Sequence, residues 1–429
     1  MRIVELTGET KKNILNDLLK RSPNNYGEYE ETVNGIIEQV KERGDEAVFS
    51  FTKQFDRCDL TPENLVVTRD EIEEAYRTLD DALIRTMRKS AENIGTYHEK
   101  QVRQSFFTTK PDGSILGQRI TPLKRAGVYV PGGKAAYPSS VLMNVVPAKV
   151  AGVEEIIMTT PPGKDGKVNP GTLVAADIAG VDRIYKVGGA QAIAAMAFGT
   201  ESIPKVDKIT GPGNIFVALA KKAVFGYVSI DSVAGPSEIL VLADETANPR
   251  YVAADLLSQA EHDELASAIL ITDSMELAKR VSDEAEVFAK KLSREEIIRK
   301  SLEQYGYILV AKDMDEAVEA ANDIASEHME ILTKDPFQTM TKVKNAGAIF
   351  LGEYSSEPLG DYFAGPNHIL PTNGTAKFFS PLSVDDFIKK TSIISYSREA
   401  LERDHEDIER FAKSEGLTAH ANSVAVRFE

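Results

Sequence analysis

The sequence predicts an α/β protein. Its expected parts are two doubly wound, incomplete Rossmann-like units, a helical N-terminal arm and an extended C-terminal tail. Three observations predict this. From about Ala126 onward, short apolar runs alternate with helical segments. The first hundred residues are charged and helical in period instead. After about Pro381 the apolar density falls and the pattern loosens into charged helix.

Taken in order, Glu28 to Lys41 and Glu71 to Lys100 read as amphipathic helices, with Gly44 as a helix stop. The strand candidates are Gly127-Val-Tyr-Val, Glu155-Ile-Ile-Met-Thr, Arg183-Ile-Tyr-Lys-Val, Ile239-Leu-Val-Leu, Ala268-Ile-Leu-Ile-Thr, Tyr307-Ile-Leu-Val and Ala348-Ile-Phe-Leu. Each is short, rich in β-branched residues and followed by Gly, Pro or Asp. Strands alternating with helices imply βαβ units and mainly parallel sheets. So many strands suggest two units rather than one wide sheet. The chain ends in the strand-like Val424-Ala-Val-Arg-Phe. No internal repeat is visible in the sequence.

Composition narrows the function. A length of 429 residues favours two or more domains. A net charge of −16 argues against nucleic acid or an anionic membrane as the main partner. The single cysteine, Cys58, excludes an intramolecular disulfide framework and suits a cytoplasmic protein. It lies in Phe55-Asp-Arg-Cys-Asp, without a His or a Gly-rich turn, and reads as incidental. No secretory h-region and no bilayer-length apolar run are expected.

The most informative stretch is Gln259-Ala-Glu-His262-Asp, at the end of a helical run from Tyr251. Gln259 and His262 are three residues apart and fall on one helical face. An amide oxygen and an imidazole among carboxylates suit a divalent metal; an ordinary exposed helix end fits the fragment alone. Of the six histidines, His98 and His405 lie in charged helical stretches and read as solvated. His262, His328, His368 and His420 sit in polar, motif-like settings at element ends. Three Gly-rich loops stand out: Tyr129-Val-Pro-Gly-Gly133, Val187-Gly-Gly-Ala-Gln191 and Thr210-Gly-Pro-Gly-Asn214. The last two follow a strand-like run and open a helix, a geometry that offers backbone N–H groups to a phosphate. Each could also be an ordinary tight βα turn. Together they favour a dinucleotide.

The chain resembles the histidinol dehydrogenase family over essentially its whole length. The blocks that carry the resemblance are Ile230-Asp-Ser-Val-Ala-Gly-Pro-Ser-Glu238, Asp255-Leu-Leu-Ser-Gln-Ala-Glu-His-Asp263, Ser326-Glu-His-Met-Glu330, Gly360-Asp-Tyr-Phe-Ala-Gly-Pro-Asn-His368-Ile-Leu-Pro371 and Glu415-Gly-Leu-Thr-Ala-His420. The resemblance implies NAD⁺-dependent, four-electron oxidation of L-histidinol to L-histidine through bound L-histidinaldehyde, the last step of histidine biosynthesis. It implies one Zn²⁺ per subunit, held by Gln259, His262, Asp361 and His420. Ser237, His328, His368 and Glu415 would complete the substrate shell, and Tyr129, Gln191 and Asn214 would contact NAD⁺. His328 matches the catalytic base and Glu327 the residue that activates water. The architecture it implies is an arm at residues 1–24, a first domain of residues 25–128 and 237–380 carrying most of the metal and substrate site, an inserted domain at residues 129–236 and a dimerisation tail at residues 381–429. In the implied homodimer the tail delivers Glu415 and His420 to the neighbouring subunit's site.

No cysteine lies in the half of the chain that carries these blocks, so aldehyde oxidation is expected to pass through the hydrate or a nucleophile other than sulfur. Two other readings use the same residues. A zinc hydrolase would employ Glu327 as base but leaves the Gly-rich loops unexplained. A non-catalytic, two-lobed binding protein leaves the adjacent Glu327-His328 pair unexplained.

Overall fold

All seven predicted runs form strands; six are largely buried and satisfy their backbone in a ladder, while Ala348–Leu351, at a sheet edge, is only partly buried. The structure, a computed structural model, describes residues 1–21, 27–132 and 137–429. Gly133 and residues 22–24, which entered the sequence expectations, lie outside the described residues. The strands are β1 (Arg2–Glu5), β2 (Phe106–Thr109), β3 (Ile115–Pro122), β4 (Arg125–Tyr129), β5 (Glu155–Thr159), β6 (Arg183–Tyr185), β7 (Lys208–Thr210), β8 (Ser229–Ile230), β9 (Glu238–Ala243), β10 (Ser267–Thr272), β11 (Gly306–Val310), β12 (His328–Leu332), β13 (Ala348–Leu351) and β14 (Ile388–Ser395).

Two sheets are wholly parallel: β1-β11-β10-β9-β12-β13 and β6-β5-β4-β7-β8. Each is apolar on both faces. In the first, Ile239 and Val241 face one core while Leu240 and Leu242 face another. In the second, Ile157 and Ile209 face one core while Ile156 and Met158 face the other. This alternation is why the sequence shows continuous rather than alternating hydrophobicity. Leaving out the edge strand β1, both sheets share one order: the first three strands run outward one way, and the last two are added on the other side of the first. Each therefore has a switch point, between β4 and β7 and between β9 and β12.

The chain divides into two compact units, Met1–Gln101 with Leu123–Phe387, and Val102–Pro122 with Ile388–Glu429. The smaller unit holds the antiparallel sheet β14-β3-β2 and the helices Arg398–Ser414 and Thr418–Ala425.

Five expectations are corrected. Residues 1–20 are not an arm: β1 pairs with β11, and the following helix Gly8–Lys20 buries Ile14 and Leu18 on the sheet. The strand is too short for its period to show in sequence. The terminal Val424-Ala-Val-Arg-Phe is not a strand; Thr418–Ala425 is helical and a turn follows. His98 is not solvated: it is wholly buried in the helix Asp81–Glu99, with its Nδ1 2.8 Å from the Ile94 carbonyl. His405 is partly covered and pairs with Glu409 one turn on. The helices of residues 27–99, grouped in sequence with the later strands, bury their apolar faces against the β6-β5-β4-β7-β8 sheet.

Candidate active site

Two neighbouring parallel strands build the centre of the site. β9 begins at Glu238 and β12 at His328, and their register sets His328 beside Ile239. Glu327 and His328 therefore stand at the amino-terminal edge of the sheet, buried, next to Glu238. Glu327 Oε2 accepts the Glu238 N–H at 2.8 Å. His328 Nδ1 lies 3.0 Å from the Glu238 carbonyl and 3.3 Å from Gln259 Nε2. A proton on Nδ1 donated to that carbonyl leaves Nε2 as the basic nitrogen, and Nε2 is 3.4 Å from Asp361 Oδ1.

The helix Pro249–Ala260, capped by Asn248 and started by Pro249, returns the chain to this same edge. It places Gln259 against His328. Gln259 Oε1 is buried and has no hydrogen-bond partner among the described residues. The next turn carries His262, which is exposed. Asp361 comes from the short helix Glu357–Tyr362. Its backbone carbonyl lies 2.9 Å from His368 Nδ1, and His368 Nε2 is 3.3 Å from Ser140 Oγ. Ser140 belongs to the helix Pro138–Ala151, which follows β4. Ser237 immediately precedes β9, and its carbonyl accepts the Ser267 N–H.

The electrostatics are dominated by carboxylates in a dry setting. Burial opposes a charge on His328, but Glu327 and Asp361 outweigh it and push the imidazole up to about 10. Burial lifts Glu327 to about 7, against the pull of His328. Asp361 is held down at about 2 because His328 and His368 outweigh its desolvation.

One residue of the cluster escaped the sequence reading. Glu357 joins His328 and Asp361, with ligand atoms all within 4.8 Å of one another, as a group able to hold a metal ion. Burial and the nearby Asp361 raise its carboxyl to about 8. Its Oε2 accepts the Ser258 hydroxyl at 2.9 Å, and its N–H donates to Glu330 Oε1 at 2.8 Å. A signal existed: Glu357 and Asp361 are four apart, one helical turn. Of the four expected metal ligands, Gln259 and Asp361 both meet His328 in this cluster. His262 lies one turn beyond Gln259, within electrostatic reach of Asp361. His420 and Glu415 belong to the smaller unit, and both are exposed there. The unpartnered amide oxygen of Gln259, on a residue that meets His328 as Asp361 does, fits a cation such as zinc.

The residues expected to meet a dinucleotide gather at the carboxyl ends of the other parallel sheet, around its switch point. Tyr129 ends β4, and its hydroxyl accepts the Gly189 N–H at 3.2 Å. Gln191, in the first turn of the helix Gly189–Phe198, is buried, and neither of its amide atoms has a partner among the described residues. Asn214 caps the helix Ile215–Val224 by accepting from Phe216 N–H and Val217 N–H. Gly211 has φ +120°, and a Cβ there would run into the Tyr129 carbonyl, so this loop needs glycine.

Comparison with known proteins bears on the chain as a whole. A sequence model described as histidinol dehydrogenase matches residues 19–428. Histidinol dehydrogenase of Clostridium acetobutylicum is 54% identical over 429 residues, covering 100% of this chain and 99% of that one. Its counterpart in Bacillus subtilis is 59% identical over 400 residues, 93% of each chain. The crystal structure of histidinol dehydrogenase from Elizabethkingia anophelis superposes with a TM-score of 0.94 at 37% identity, covering 100% of this chain and 98% of that one. The chain belongs to the histidinol dehydrogenase family and is an oxidoreductase.

Proposed function

We propose that this protein oxidises L-histidinol to L-histidine through bound L-histidinaldehyde, as the last step of histidine biosynthesis, with zinc and two successive NAD⁺. The observation that carries the reading is the buried Glu327-His328 pair set against Asp361 and the unpartnered Gln259 Oε1. When bound, zinc would clamp the substrate's nitrogens and take up the Asp361 charge, and each NAD⁺ would accept one hydride. His262 and His420 would complete the metal's ligands; Ser237, His368 and Glu415 would surround the substrate.

His328 Nε2 takes the hydroxyl proton as the carbinol C–H bond breaks, giving the aldehyde. With Asp361 engaged elsewhere, the field that holds a proton on this ring falls. Glu327 then takes a proton from water as its oxygen adds to the aldehyde carbon, and the carbonyl oxygen gains the proton that His328 took in the first step. His328 removes a hydroxyl proton of the hydrate in the second oxidation, which releases the carboxylic acid. Cys58, the only thiol, is buried in a core of the β6-β5-β4-β7-β8 sheet, so sulfur takes no part. Tyr129, Gln191 and Asn214 frame the dinucleotide at the β4–β7 switch point. The protein acts in the cytoplasm as a homodimer, with Glu415 and His420 serving the neighbouring subunit.

The test is NADH absorbance on adding L-histidinol and NAD⁺. The expected result is two NADH per histidinol, loss of activity on chelation and its return with zinc. Binding without NADH formation, or full activity in the chelated protein, would overturn the reading.

A further inference from the structure

We propose that the buried Arg21–Glu238 pair is the positioning element of Glu327 within the Glu327-His328 pair. This rests on the roles given to those two residues above. Arg21 follows the helix Gly8–Lys20 and is 1% exposed. Its Nη2 lies 2.5 Å from Glu238 Oε1, and its Nη1 donates to the Leu265 carbonyl at 2.8 Å. Arginine is almost never this buried without a specific partner.

Glu238 is where the bonds meet. Its Oε2 accepts the Glu327 N–H at 3.4 Å while its own N–H donates to Glu327 Oε2 at 2.8 Å. Its carbonyl holds His328 Nδ1 at 3.0 Å. The two glutamates thus clasp each other reciprocally, and the clasp fixes the water-activating carboxylate, while the tautomer of the base is held by the Glu238 backbone carbonyl. The arrangement sets two buried carboxyl groups side by side, which repel when both are ionised. Arg21 supplies the compensating charge on the face of Glu238 away from Glu327. Without it Glu238 would be an unpaired buried acid, able to turn away or to hold a proton, and either change slackens the clasp. Arg21 thus acts on Glu327 only through Glu238, as a positioning residue. The N-terminal segment, which in sequence looks like a detachable arm, is here tied to the site through Arg21.

The experiment compares the full-length wild type with Arg21→Met, Arg21→Lys and Glu327→Gln. The rate of the first NADH formed from L-histidinol is measured in a single turnover, and steady-state kcat and KM are measured with L-histidinaldehyde as substrate. Arg21→Met should lower kcat for the aldehyde by about tenfold to a hundredfold, the scale seen when a supporting shell is removed, with KM for the aldehyde and NAD⁺ unchanged. The first oxidation should suffer less. Arg21→Lys, which keeps the charge but loses the fork, should recover part of the loss. Equal effects on both oxidations, or wild-type kcat for the aldehyde in Arg21→Met, would overturn the proposal. Should Arg21→Met not fold, Arg21→Lys decides alone: a loss confined to the aldehyde step supports the positioning role, and wild-type or uniform behaviour overturns it. Glu327→Gln separates the two levels. If it shows no preference for the aldehyde step, the role assigned to Glu327 fails; if it does while the Arg21 variants match wild type, only the positioning fails.

Discussion

His98 and His328 are both fully buried imidazoles, yet they titrate in opposite directions. His98 faces the Ile94 and Leu382 backbone and the amide of Asn367, with no carboxylate to oppose burial, so desolvation lowers its pKa from 6.5. His328 faces carboxylates and is pushed up to about 10. For His98 the unfolded chain binds a proton at a higher pH than the folded one. Its contribution is therefore intact above about pH 6.5 and is lost as pH falls toward the folded value. A His98→Gln variant should lose less stability than wild type between pH 7.5 and pH 5.5 in urea titrations; parallel losses would refute this. Sequence periodicity identifies the helix that holds His98, but the charged Glu99 and Lys100 that follow it hide its buried face. The same limit applies at the site. The Glu327-His328 motif is legible as a pair of reactive residues. Its burial, its shifted pKa values and its clasp by Glu238 depend on β9 and β12 being neighbours, although 89 residues separate Glu238 from Glu327.

The Gly-rich turns were legible because strand, glycine and helix start are contiguous in sequence. What holds them in shape was not. The loop after β7 is fixed from below by a buried ion pair between Lys221 and Asp231. Lys221 Nζ donates to the Gly211 carbonyl at 3.0 Å, and Asp231 Oδ2 accepts the Gly211 N–H at 2.8 Å. Both backbone groups of the glycine are thus satisfied where φ is +120°. Lys221 lies on the inward face of an apolar helix, so in sequence it reads as a solvated end. Lys221→Met leaves Asp231 unpaired and should cost about 3–5 kcal/mol in denaturant unfolding. The double variant Lys221→Met, Asp231→Asn should cost less, because no lone charge remains. A single-variant loss below about 1 kcal/mol, the scale of an exposed pair, would show that the loop does not depend on this bond.

The two parallel sheets repeat one strand order with no visible repeat in sequence, because the order is set by crossover direction and twist rather than by particular side chains. The proposed function uses them differently. One carries Tyr129, Gln191 and Asn214, the residues proposed to meet the dinucleotide, at the carboxyl ends of its strands; the other carries Glu327 and His328 at the amino edge. The smaller unit exposes Phe106, Phe107, Ile394 and Phe411, together with Glu415 and His420. So many exposed large apolar groups on few residues are costly in water, which accords with the proposed exchange of this unit's helices between subunits. The exchange predicts a definite complementation. An inactive His262→Asn protein is mixed with an inactive His420→Asn protein, and subunits are exchanged under mild denaturant. If His420 serves the neighbour, each mixed dimer has one site with both lesions and one with neither. Half of randomly paired dimers are mixed, so activity should return to about a quarter of wild type. If each site is built from one chain, every site keeps a lesion, no mixing ratio restores turnover, and the shared site must be abandoned.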